Sequence, residues 1–144
     1  MKRTKEIAEE ISTLLPTYLR HIFPIVLHSI ELPPSQVIAL VTLHEIGECS
    51  LGVLSREMHV SAPTVTGIID RLEKGHYVKR LPDPNDRRVT NIQMTPKGQE
   101  IVLRFLSRVK DRWKTILDKL PSGDQESWLR IFRNITEGLS KDAQ

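Results

Sequence analysis

Apolar residues recur at three- and four-residue steps over most of the chain, and the breaks between those runs divide it into six helical segments and one hairpin. Over 5–30, Ile7, Ile11, Leu14, Leu15, Tyr18, Ile22, Phe23, Ile25, Val26 and Ile30 give a helix with a wide apolar face. Pro16 and Pro24 fall inside it and are expected to bend or interrupt it. After Leu32-Pro33-Pro34, Ser35 is the expected cap of a helix over 36–46 that buries Val37, Leu40, Val41 and Leu43, with Gly47 as its stop. Two short helices follow, over 51–58 and 62–74, separated by a tight break at Val60-Ser61. Strand-like runs over 77–81 and 89–94 then flank a tip rich in Asp and Arg, residues 82–88. Thr95 caps a long helix over 96–120 with an apolar stripe at Ile101, Val102, Phe105, Leu106, Val109, Trp113, Ile116, Leu117 and Leu120. After the turn Pro121-Ser122-Gly123, a last helix over 124–139 is expected to bury Trp128, Leu129, Phe132 and Ile135.

Two helices and a hairpin in that order make a winged helix-turn-helix, an arrangement that sets one helix in the major groove of DNA with a basic tip beside it. The helix over 62–74 has the features of a groove-reading helix. Ser61 is a good N-cap, and Pro63 stands in the first turn, where its missing N–H costs nothing. Val65, Ile68, Ile69 and Leu72 form the buried stripe, which leaves Thr64, Thr66, Gly67, Asp70, Arg71 and Lys74 on the other side. A small leading end of Ser61, Ala62, Pro63, Thr64, Thr66 and Gly67 can approach base edges closely, and Arg71 and Lys74 are placed to hold phosphates. In the hairpin, Asp83, Pro84, Asn85 and Asp86 punctuate a turn, with Arg87 and Arg88 at its exit. Alternation along a strand would point one of these arginines outward, where a narrow minor groove would reward it. Asp86 could brace a guanidinium through a bidentate pair.

The run Ser61-Ala62-Pro63-Thr64-Val65-Thr66-Gly67-Ile68-Ile69-Asp70-Arg71-Leu72-Glu73-Lys74 resembles the recognition-helix signature of the MarR family of bacterial transcriptional regulators. The wing Pro84-Asn85-Asp86-Arg87-Arg88, the following Met94-Thr95-Pro96-Lys97-Gly98 and the upstream Leu32-Pro33-Pro34-Ser35-Gln36 are similar to that family's as well. The likeness spans nearly the whole chain. It departs at Gly67, where many members carry Arg, and at the helix end, where the usual Gly is displaced by one to Gly75 and His76 stands in its place. The resemblance implies a homodimeric, ligand- or redox-responsive repressor or activator. It also implies an effector pocket between dimer helices and winged-helix core, for which Tyr18, Phe23, His28, His44 and Trp113 are the candidate lining residues.

Composition adds little against this picture. The chain has 144 residues, enough for one domain across 1–144, with a winged-helix core over 33–97 and dimerisation helices over 5–30 and 96–140. Net charge is only +3, but between Arg71 and Arg88 six basic residues face three acidic ones, so the excess falls on the proposed DNA face. A single cysteine excludes an internal disulfide and suits a reducing cytoplasm. No apolar run approaches a membrane span, and no secretory core follows the N-terminus, so a cytoplasmic protein without membrane partners is expected.

Catalytic and metal chemistry have weak support. His44-Glu45-Ile46-Gly47-Glu48 begins like a zinc-protease box, but Glu48 stands where the second His should be. His44, Glu48 and Cys49 with His21 or His28 could in principle join in a metal site, though exposed or core-satisfied side chains suit them better. Cys49 could sense oxidants only with a lowered thiol pKa, and a small buried residue is the plainer expectation. No Gly-rich phosphate loop exists, so no enzyme, metal or cofactor is expected. The expected partners are near-palindromic double-stranded DNA, a second copy of the chain and a small-molecule effector. The competing class is a winged helix used as a protein-interaction module without DNA binding.

Overall fold

The computed structural model describes residues 2–142. Its elements are α1 (Lys2–Val26), α2 (Pro34–Ile46), β1 (Cys49–Ser50), α3 (Leu51–Met58), α4 (Ala62–Lys74), β2 (Val78–Pro82), β3 (Thr90–Met94), α5 (Pro96–Leu117) and α6 (Ser122–Asp142). Two compact units divide the chain, one ending at Arg108 and the other starting at Val109.

In the first unit, α2, α3 and α4 close on a three-stranded antiparallel sheet of order β1-β3-β2. The pairing sets Val78 opposite Met94, Arg80 opposite Ile92 and Cys49 opposite Ile92. Leu40, Leu54, Val65, Ile69, Leu72, Ile92 and Val102 are fully buried and form the core with Leu43, Ile68, Tyr77, Val78 and Ile101. The stripe expected on the second helix-turn-helix element is therefore its buried face, residue for residue. β1 has no counterpart in the sequence pattern. Two residues are too few to show a period, and only pairing with β3 makes them a strand.

Several local expectations need correction. Pro16 and Pro24 do not interrupt α1, which runs through both. Both prolines are exposed, and so are Ser12 and Arg20, whose carbonyls have no N–H four residues on to accept from. The helix ends at Val26 instead of 30. Ser35 does not cap α2; Pro33 holds that position without a side-chain bond, and Pro34, with its preset φ, begins the helix. Val41 is half-buried, whereas Gln36 and Ala39 are buried. α5 stops at Leu117, and α6 begins at Ser122 and reaches Asp142. Of the α5 stripe, Ile101 and Val102 are buried, while Leu106 and Leu120 are exposed. α6 has no buried residue: Trp128, Leu129, Phe132 and Ile135 are exposed, although the Trp113 ring of α5 lies beside those of Trp128 and Phe132.

The junction of α4, β2 and α5 holds the wing's base. Thr95 Oγ1 accepts from Gly98 N–H at 3.2 Å, as an N-cap should, and donates to the His76 carbonyl at 2.7 Å. Lys97 Nζ donates to the Gly75 carbonyl at 2.8 Å and lies 4.4 Å from the centre of the Tyr77 ring. The left-handed residue after α4 is His76, at φ 65, and Gly75 is ordinary at φ −82. An L side chain in that region costs about 1–2 kcal/mol, part of which a glycine returns as chain entropy. His76→Gly should therefore raise stability by about 0.5–1 kcal/mol, read as a higher urea midpoint at unchanged slope.

Candidate nucleic-acid interface

α3 and α4 are joined by a four-step turn that both helices' caps define. Ser50 Oγ accepts from Val53 N–H at 3.3 Å to start α3, and His59, left-handed at φ 54, ends it. Ser55 Oγ donates to the Val60 carbonyl at 2.6 Å, which fixes the connection. Ser61 then caps α4, accepting from Thr64 N–H at 3.4 Å. With Val65, Ile68, Ile69 and Leu72 turned to the core, Ser61, Ala62, Pro63, Thr64, Asp70, Arg71 and Lys74 are exposed, and Thr66 and Gly67 are half-buried. Nothing lies within 4 Å of the point where a Cβ on Gly67 would stand.

The wing is held by one carboxylate that sequence reasoning passed over. Asp83 Oδ1 accepts from the N–H groups of Asn85, at 2.8 Å, and Asp86, at 3.1 Å. Its Oδ2 accepts from Asn91 Nδ2 at 3.0 Å, and its own N–H reaches the Val89 carbonyl at 2.9 Å. The Asn85 N–H bond, followed by that from Asn91, lowers the Asp83 pKa from the ordinary aspartate value. The available signal was Asp-Pro-Asn, an Asx-turn sequence in which the side chain bonds the backbone two residues on.

Arg87 and Arg88 lie in the turn and not on β3, so strand alternation does not separate them. What separates them is pairing. Arg88 Nε and Nη2 reach the two Asp86 oxygens at 3.2 and 3.4 Å, the bidentate brace expected of that aspartate. Arg87 is exposed and makes no ion pair among the described residues. Arg80, counted with the basic face, is turned inward instead. Its Nη2 lies 2.6 Å from Asp70 and its Nη1 2.7 Å from Glu73, tying β2 to α4.

The remaining candidates are scattered. Phe23 and His28 lie exposed near the end of α1, with Tyr18 exposed further back. His44 Nδ1 is 3.4 Å from Gln99 Oε1, and His44 lines a small depression with Glu48, Gln93 and Gln99. Trp113 belongs to the second unit, where its ring centre is 5.6 Å from that of Trp128 and 6.0 Å from that of Phe132. It lines a different hollow, of about 440 Å³, with Leu117, Leu129 and Phe132. α2 ends at Ile46, so His44 and Glu48 do not share a helical face as a zinc-protease box requires. Among the described residues no three His, Cys, Asp or Glu side chains converge to hold a metal ion. Burial pushes the Cys49 thiol pKa up, and the Glu57 and Glu48 carboxylates add to it, the opposite of an activated thiolate.

The comparisons agree with this architecture. The MarR family model matches residues 32–90. An uncharacterized HTH-type transcriptional regulator of Bacillus subtilis, YsmB, is 32% identical over 112 residues, spanning 70% of this chain and 77% of its own length. The chain belongs to the MarR family. Like the family's other HTH-type transcriptional regulators, it is a DNA-binding regulator of transcription. Among solved structures, a MarR family protein from Bacillus stearothermophilus superposes with TM-score 0.86 at 23% identity, covering 97% of this chain and 98% of that one. Streptococcus pneumoniae FabT, solved in complex with DNA, gives TM-score 0.78 at 19% identity over 96% of this chain and 98% of that one. The MarR fold, a mainly helical winged helix with a small antiparallel sheet, is thus the fold of this chain. No helix among the described residues is long and apolar enough to cross a membrane.

Proposed function

We propose that this MarR-family chain acts as a homodimeric repressor on a near-palindromic duplex, and that a small molecule changes its affinity. Residues 1–144 then work as one MarR-like domain. In it Ser61, Ala62, Pro63, Thr64, Thr66 and Gly67 face a major groove, Arg71 and Lys74 hold phosphates, and Arg87, flanked by the Asp86–Arg88 pair, enters the neighbouring minor groove. The observation that carries the reading is the division of α4 into a buried apolar stripe and a small, largely exposed leading end, beside a hairpin tip whose exposed Arg87 makes no ion pair among the described residues. FabT, which shares the fold and was solved in complex with DNA, supports it.

A dimer supplies two copies of α4 and needs half-sites about 34–36 Å apart, one turn of DNA. Bound there, it occludes whatever else must use that stretch, which favours repression. The effector acts by preferring one spacing of the two α4 helices, since a ligand with equal affinity for both spacings shifts nothing. Tyr18, Phe23, His28, His44 and Trp113 remain the candidate contacts. The raised Cys49 thiol pKa favours a ligand over an oxidant as the signal.

Arg87→Ala with Arg88→Ala tests the wing. Affinity for a selected duplex should fall by about tenfold or more, and the slope of log K against log salt should shrink by about 1–2, because each lost phosphate contact releases fewer counterions. An unchanged affinity and slope would return the tip to an ordinary surface loop and favour the protein-interaction module.

A further inference from the structure

We infer that the leading half of α4 discriminates among DNA sequences through thymine 5-methyl groups. This rests on the proposed entry of α4 into the major groove and names what it reads there. Thr66 Oγ1 donates its proton to the Ala62 carbonyl at 2.9 Å, so the residue retains lone pairs and a methyl group. The Ser61 and Thr64 hydroxyls are 2.8 Å apart and share one proton between them, while Thr64 N–H takes a lone pair of Ser61 at 3.4 Å. Two of the three hydroxyl protons on this surface are therefore committed within the helix.

Ala62 and Pro63, both exposed, add a methyl and a ring without a side-chain donor or acceptor. Gly67 adds no side chain, and the space around it is open. No Asn or Gln occurs in α4, so the bidentate amide contact to adenine is missing. Arg71 is the first exposed residue able to grip guanine with two hydrogen bonds, and it lies about 10 Å along the axis from Thr64 at 1.5 Å per residue. The part of a recognition helix that meets base edges is its N-terminal part. Here that part is mostly carbon, with a single free hydroxyl proton. In the major groove the one apolar group presented by any base is the 5-methyl of thymine. Ala62, Pro63, Thr64 and Thr66 are accordingly the specificity-determining residues, and the matching half-site positions carry thymine.

The test uses the full chain and a pool of random 30-base-pair duplexes. The recovered duplex is resynthesised with deoxyuridine in place of thymine, one position at a time, and separately with 7-deazaguanine in place of guanine. Loss of each contacted methyl should weaken binding about fourfold, the equivalent of about 0.8 kcal/mol for one buried carbon. The salt dependence should not change, because no phosphate contact is touched. Thr64→Ser and Thr66→Ser should abolish the preference for thymine over uracil at their positions, and Thr64→Val, which keeps a methyl, should retain it. Equal affinity for thymine and uracil duplexes, with a loss on 7-deazaguanine, overturns the inference and assigns readout to Arg71 while leaving DNA binding intact. If no duplex is enriched, the DNA reading fails and this inference with it.

Discussion

Leu129→Asp should yield a folded monomer that binds a two-half-site duplex at least a hundredfold more weakly. The expectation comes from surface that one copy leaves uncovered. Along α6, Leu129 is 56% exposed, Ile135 50% and Leu139 65%, and the hollow beside them is walled by Trp113, Trp128 and Phe132. Along α1, Ile11 is 56% exposed and Leu14 60%. An exposed apolar face of this kind on either helix marks an interaction site, and the proposed isologous pair of copies is the commonest way to cover one. A carboxylate at the centre of such a contact must be desolvated without a partner. Once the copies separate, each α4 binds alone, and the gain of linking two sites, about 10²–10⁴, disappears. Sedimentation and DNA titration of the same preparation decide the matter. A variant that remains dimeric, or a monomer with undiminished operator affinity, rules out this interface.

Gly98→Ala should lower stability by about 2–3 kcal/mol, a loss at the upper end of overpacking substitutions. A Cβ at Gly98 would run into the Tyr77 carbonyl oxygen and lie 2.8 Å from Met94 Cγ. The Met94 side chain can give, but the Tyr77 backbone cannot retreat cheaply. The Tyr77 carbonyl already accepts from Thr95 N–H at 3.0 Å, and Tyr77 is in the core. For a chain of this size the melting temperature should fall by roughly 5–12 °C. Gly67→Ala, with open space at its Cβ, is the control and should not destabilise. A Gly98→Ala protein that melts with the parent would show that the α5 start can shift, and would remove the packing reason for glycine at this position.

How much of this was legible beforehand follows from the distance over which each feature is decided. α3 and α4 match the sequence-based bounds at both ends, because their caps and stripes are set by residues within one turn: Ser61 against Thr64, Val65 against Ile68 and Ile69. The bidentate support of an arginine by Asp86 was also local, reaching only two residues to Arg88. Arg80 was misassigned to the DNA face because its charge is visible in the sequence, while its partners, Asp70 and Glu73, come near only when β2 folds back on α4. Asp83 was only partly legible: its bonds to the Asn85 and Asp86 N–H groups follow the local Asx-turn pattern, while its bond to Asn91 crosses the hairpin.

By itself the sequence determined the order of helices and hairpin and the buried stripe of α4, because periodicity, capping residues and turn residues act on neighbours a few positions away, and its 61–74 and wing motifs carried the resemblance to the MarR family. Tertiary structure alone decided that Cys49–Ser50 is a strand, that Arg80 pairs with Asp70 and Glu73 while Arg87 is left exposed, that His76 takes the left-handed position and that α6 keeps no residue buried. Each of these depends on backbone or charge brought together from separate elements, and a linear pattern carries no record of which distant groups will meet.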